Sequence, residues 1–80
     1  MRLDLFLSRV GIIKRRTIAK EMADNGLIKV NSSRSKPSAI VKSGDIVQIG
    51  GNRPTSIEIL NIPTGSVKKE TRPDYFKTLD

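Results

Sequence analysis

The 80-residue chain contains no cysteine and no histidine. Thiol nucleophiles, imidazole bases, disulfides and the usual zinc ligands are excluded together. Aromatic residues are scarce: Phe6, Tyr75 and Phe76. The core must therefore rest on Leu, Ile, Val and Met. No apolar run approaches the ~20 residues that a membrane-spanning helix needs. Met1-Arg2-Leu3-Asp4 brings an acid at once, and Ser8 and Arg9 break the apolar run that follows, unlike a secretory leader. No Gly-Lys-Ser/Thr phosphate loop occurs. The acids Asp4, Glu21 and Asp45 are scattered, and a short chain hardly builds the cleft that paired carboxylates need. We expect a soluble cytoplasmic protein that is not an enzyme, with no cofactor, no metal and no membrane partner.

What the chain does have is positive charge, with a net of +7 and a pI near 10.3. Up to Lys36 there are nine Lys/Arg and three acids, whereas from Pro37 on there are six and five. A merely solvated basic surface would spread the excess more evenly. Its concentration in the first half points to a polyanionic partner there.

Leu3, Phe6, Leu7 and Val10 recur at i, i+3, i+4, i+7, which predicts a helix from Arg2 to Arg9 or Val10. Gly11 ends or loosens it. A second helix is predicted over 15–24, with Ala19, Met22 and Ala23 inward, Ile18 beside them, and a stop at Asn25-Gly26. The period then changes to two. Strands are predicted at Leu27–Val30, Ile46–Ile49 and Ser56–Leu60, the last two as an antiparallel hairpin. Arg34 to Pro37 reads as a short extended piece. The fold class is α+β: two packed N-terminal helices against a small, mostly antiparallel sheet. Residues 1–60 are expected to form the domain. Residues 61–80 are expected as a linker and short flexible tail, with one or two helical turns over Asp74–Leu79.

One constellation rises above background. Lys14, Arg15 and Arg16 stand at a helix start, where exposed cations are disfavoured by roughly 0.3–1 kcal/mol each. Lys20 lies one turn after Arg16 on the same face. Arg2 and Arg9 flank the first helix. Helix N-termini offer free N–H groups to phosphate, and guanidinium groups add paired donors matched to phosphate oxygens. With few aromatics, the surface suits a folded backbone better than stacked single-strand bases. Arg2, Arg9, Lys14, Arg15, Arg16 and Lys20 are the candidate nucleic-acid-binding residues.

The stretch MRLDLFL, then KRRTIAKEMADNGLIKVN, then KPSAIVKSGDIVQI, resembles the S-four RNA-binding domain. The likeness is strong over residues 1–50. The whole chain is similar to the small stand-alone members, the heat-shock-protein-fifteen-like and especially the RqcP-like family. That resemblance implies binding to obstructed large ribosomal subunits through an rRNA helix and the peptidyl-tRNA. It further implies a protein, monomeric off the ribosome, that supports an RqcH-type factor adding C-terminal alanine tails. Carried over by position, the family's RNA contacts fall on Arg2 and Arg16, with Lys14, Arg15 and Lys20 beside them. Two departures stand out. Ser32 occupies the place after Val-Asn where the family often has Gly, so a strained or different turn is expected. Gly11 and Ser8 sit where close relatives tend to carry cations, leaving Arg9 at that end of the helix.

Two rivals remain. The chain could recycle stalled large subunits, as heat-shock protein fifteen is thought to. It could also be a helix-turn-helix DNA binder reading bases with Arg15, Arg16 and Thr17, although a strand after Gly26 and no third helix disfavour that.

Overall fold

The stripe Leu3, Phe6, Leu7 and Val10 is fully buried in the computed structural model, which describes residues 1–79. It forms the inner face of α1 (Leu3–Arg9), one residue shorter at the start than its sequence period predicts. The first N–H groups of a helix have no intrahelical acceptor. Here Leu3 and Asp4 donate to the carbonyls of Ala39 (2.8 Å) and Pro37 (3.1 Å), and Leu5 donates to the Asp4 carboxylate (2.8 Å). An isolated bridge between Arg2 and Ile40 continues the seam. The start of α1 is thereby fastened to the 37–41 segment.

The second helix, α2 (Arg16–Asp24), turns Ala19 and Ala23 into the core. Their small side chains let it pack closely against α1. Ile18, expected to flank the inner face, is exposed instead. Gly26 ends α2 with a φ of 74°, the left-handed conformation that costs glycine nothing.

Five strands follow: β1 (Ile28–Val30), β2 (Ser33–Arg34), β3 (Ile46–Ile49), β4 (Thr55–Ile59) and β5 (Phe76–Leu79). They form one antiparallel sheet in the order β2-β1-β3-β4-β5. Ile28, Val47, Ile49, Ile57 and Ile59 alternate with polar neighbours and close the core beneath the helices. The predicted β3–β4 hairpin is present, with Val47 opposite Ile57.

The C-terminal stretch differs from expectation. In place of helical turns over Asp74–Leu79 there is a 3-10 turn, Lys69–Asp74, followed by β5 on the free edge of β4. Phe76 pairs with Ile59 and packs on the core. Pro73 gives no N–H to a continuing helix, and Tyr-Phe-Lys-Thr favours a strand wherever an edge is open. The apolar spacing of Tyr75, Phe76 and Leu79 is too short to separate the two readings.

Asn31 and Asp45 lock the hairpins together. The Asn31 amide donates to Asp45 (3.1 Å), its oxygen accepts the Ile46 N–H (2.9 Å), and Asp45 also accepts the Lys42 N–H (3.0 Å). This network couples Val-Asn to the distant Gly-Asp turn. Asn31 and Ser32 form the two-residue turn between β1 and β2, with φ of 51° and 72°. Both positions require a positive φ, as in a type I′ turn, which prefers Asn-Gly. Ser32→Gly is therefore expected to stabilise the fold by about 0.5–1 kcal/mol, since the left-handed cost of ~1–2 kcal/mol outweighs the added chain entropy. Urea unfolding measures it; an unchanged or lower midpoint contradicts the strain.

Candidate nucleic-acid interface

Asp4 is the centre of the site. It lies in the first turn of α1 and is buried (2% exposed). One oxygen accepts from Arg2 Nε and the other from Arg2 Nη2, each at 3.2 Å. The second oxygen also stands 3.4 Å from Arg16 Nε, across the helix pair. The Arg2 and Arg16 side chains keep 44% and 46% exposure, against 3% for Asp4. Asp4 thus holds two guanidinium groups at the surface by their inner edges. Among the described residues neither Nη group of Arg16 nor Arg2 Nη1 has a hydrogen-bond partner, and these donors suit phosphate oxygens.

A shallow hollow lined by Arg2, Asp4, Arg16, Thr17 and Lys20 forms around this cluster. At its side α2 begins without a side-chain cap and with no acid in its first turn. The structure brings Arg2, Arg16 and Lys20 together, as their spacing and charge predict. Lys14 and Arg15 are exposed in the approach to α2 and are not part of this hollow's lining; Arg15 is the cap residue, one position short of the predicted start. Arg9 is half-buried at the other end of α1, roughly 10 Å along the helix axis from Arg2. It does not join the cluster.

A second, larger hollow adjoins the first and shares Arg2 and Lys20 with it. It is an open groove of 670 Å³ between α2 and the segment Arg34–Ser38. Arg34 and Lys36 face Lys20 across it, over buried Ala23 and Pro37. Among the described residues no group of three or more acids, histidines or cysteines comes together to hold a metal. No helix among them is long and apolar enough to cross a membrane.

The sequence model of the S4 domain matches residues 1–47, which span α1, α2, β1, β2 and the start of β3. The chain belongs to the S4 domain family. It is 56% identical over 82 residues to the RQC P-site tRNA stabilizing factor of Listeria innocua, covering 99% of this chain and 86% of that one. It is 42% identical over 76 residues to the protein of that name in Streptococcus pneumoniae, covering 94% and 86%. The trimeric structure of Vibrio cholerae Heat Shock Protein 15 superposes with a TM-score of 0.90 at 25% identity, covering 99% of this chain and 81% of that one.

The S4 domain explains the Arg-Leu-Asp opening physically. Leu3 enters the core, Asp4 is buried behind it, and Arg2 folds back onto Asp4. Gly11 follows the end of α1, where Arg9 is the cation of the last turn, and a second cation reaches that end from elsewhere in the chain. The guanidinium of Arg72 lies over Gly11 in the space that any side chain there would need. Reading the sequence by charge and helical face missed Asp4, Arg34, Lys36 and Arg72. An acid in the first turn beside an exposed arginine was the available signal for Asp4. Arg34 and Lys36 were visible only as part of the charge excess. Arg72 carried no signal, because its place depends on how the C-terminal segment docks.

Proposed function

We propose that this protein binds RNA through Arg2, Arg16 and Lys20, in ribosome-associated quality control. The observation that carries this reading is the pair of exposed guanidinium groups held on buried Asp4. Lys14, Arg15 and Arg9 add attraction at longer range. In the fuller reading, the protein sits on an obstructed large ribosomal subunit in the cytoplasm. It touches an rRNA helix and the peptidyl-tRNA and steadies the tRNA while an RqcH-type factor adds C-terminal alanine tails. It does no chemistry itself, uses no cofactor and is a monomer off the ribosome. The names of its relatives at 42% and 56% identity support the tRNA and ribosome parts of this reading. The helix-turn-helix alternative is disfavoured: β1 starts at Ile28, two residues after the glycine that ends α2, and the sheet occupies the place of a third helix.

Affinity purification of the tagged protein from its own cells tests the proposal. Large subunits carrying tRNA, together with a tailing factor, are expected to come along. Empty large subunits alone would favour the recycling role instead. Absence of ribosomal RNA would overturn both. In vitro, binding to structured rRNA hairpins should fall steeply with salt, because each phosphate contact releases counterions. Equal or tighter binding to duplex DNA at the same salt would restore the DNA-binding alternative.

A further inference from the structure

We propose that the groove between α2 and the Arg34–Ser38 segment holds one unpaired strand of RNA, while the Arg2–Arg16 ridge takes folded backbone. This rests on the ridge being an RNA contact and names what lies beyond it. The two hollows share Arg2 and Lys20, so a chain leaving the ridge has a continuous cationic path into the groove. Inside, Lys20 stands on one wall and Arg34 and Lys36 on the other. Cations on both sides of one channel suit a single phosphodiester chain. The floor is Ala23 and Pro37, small and buried, which gives a sugar or base face a dry surface without a stacking platform. Asp24, on the rim, is the one acid in the lining.

Arg34 is prepared for this role. Its guanidinium lies over Gly26, in the space a side chain there would fill, so the end of α2 seats it in the groove wall. Across β1–β2 it is directly opposite Lys29. Like charges in that position destabilise a strand pair. A phosphate beside Arg34 offsets the repulsion. An acidic peptide would satisfy the charge but has no reason to continue from the Arg2–Arg16 ridge, so RNA is the favoured occupant.

The test compares three RNAs with the full chain: a blunt hairpin, the same hairpin with a short single-stranded extension, and the extension alone as an unstructured oligonucleotide. The extension is expected to tighten binding and to steepen the salt dependence by about 1.4, two single-strand contacts at ~0.7 each. Arg34→Gln with Lys36→Gln should abolish that gain and leave the blunt hairpin's salt slope unchanged. Lys36→Gln alone, away from the Gly26 seat, should remove half of it, with the thermal midpoint of each variant confirming the fold. The inference is overturned if the extension adds nothing, or if the double variant weakens both hairpins by the same factor. It is also overturned if poly-glutamate competes for the groove as well as the oligonucleotide does. If the blunt hairpin fails to bind while the oligonucleotide binds and the double variant loses it, the ridge reading falls and the groove stands.

Discussion

Replacing Arg2 and Arg16 together by alanine is expected to remove co-sedimentation with large ribosomal subunits at moderate salt and also to weaken the fold. The two effects have separate causes. Each guanidinium offers charge-assisted hydrogen bonds to phosphate, worth about 1.5–3 kcal/mol apiece. Either single variant should therefore weaken binding roughly 10- to 100-fold. Stability behaves differently. In a single variant Asp4 keeps one partner, 3.2 Å away in Arg2 or 3.4 Å away in Arg16. The arginines are nearly half exposed, so each pair adds only ~0–1 kcal/mol. With both removed, a carboxylate that was 3% exposed has no counter-charge, and the loss should exceed the sum of the singles, reaching about 2–3 kcal/mol. Sedimentation with purified subunits and urea unfolding measure the two effects. Unchanged co-sedimentation of both single variants would remove the site assignment. Additive stability losses would remove the shared role of Asp4.

Helical spacing alone put Leu3, Phe6, Leu7 and Val10 inside, and charge with helical facing selected Arg2, Arg16 and Lys20 on the outside, together with Arg9, Lys14 and Arg15. Both are local signals, set by residues within one or two turns of each other. The alternation of Ile46–Ile49 with Ser56–Leu60 likewise predicted the hairpin, since pairing across a short loop is nearly local. What escaped was set by contacts between distant segments. Asp4 looked like an ordinary first-turn acid, yet its burial depends on α2 bringing Arg16 against it. Arg34, on β2, and Lys36, just beyond it, looked like scattered charge until the fold placed them in one groove with Lys20. The tail looked helical because Tyr75, Phe76 and Leu79 fit a helical face, while the open edge of β4 that makes it a strand lies some twenty residues earlier. The triplet Lys14-Arg15-Arg16 divides for a local reason. Adjacent residues on a helix start point in different directions, and only Arg16 reaches the shared carboxylate.

Asp4→Asn should weaken RNA binding even though it raises the net charge of +7 by one. On charge alone the substitution strengthens attraction to a polyanion. Geometry opposes this. The asparagine oxygen can still accept from the Leu5 N–H, as Asp4 does at 2.8 Å. The amide nitrogen then falls where the second oxygen faces Arg2 Nη2 and Arg16 Nε. Three donors meet there with no acceptor, and Arg16 loses its anchor. A long side chain freed in this way must be ordered again on binding, at about 0.5–1.5 kcal/mol each. With both arginines affected, affinity should fall about tenfold. The fold should lose roughly 1–3 kcal/mol, the cost of unpaired buried groups. Glu21→Gln is the control: it makes the same charge change at an exposed position of α2 that lines neither hollow. It should bind as tightly as the parent or tighter. If Asp4→Asn behaved like Glu21→Gln in a titration with the same RNA hairpin, Asp4 would be only a stabilising residue. A fall in affinity confined to Asp4→Asn, measured well below its unfolding midpoint, assigns to the buried carboxylate the orientation of the two arginines.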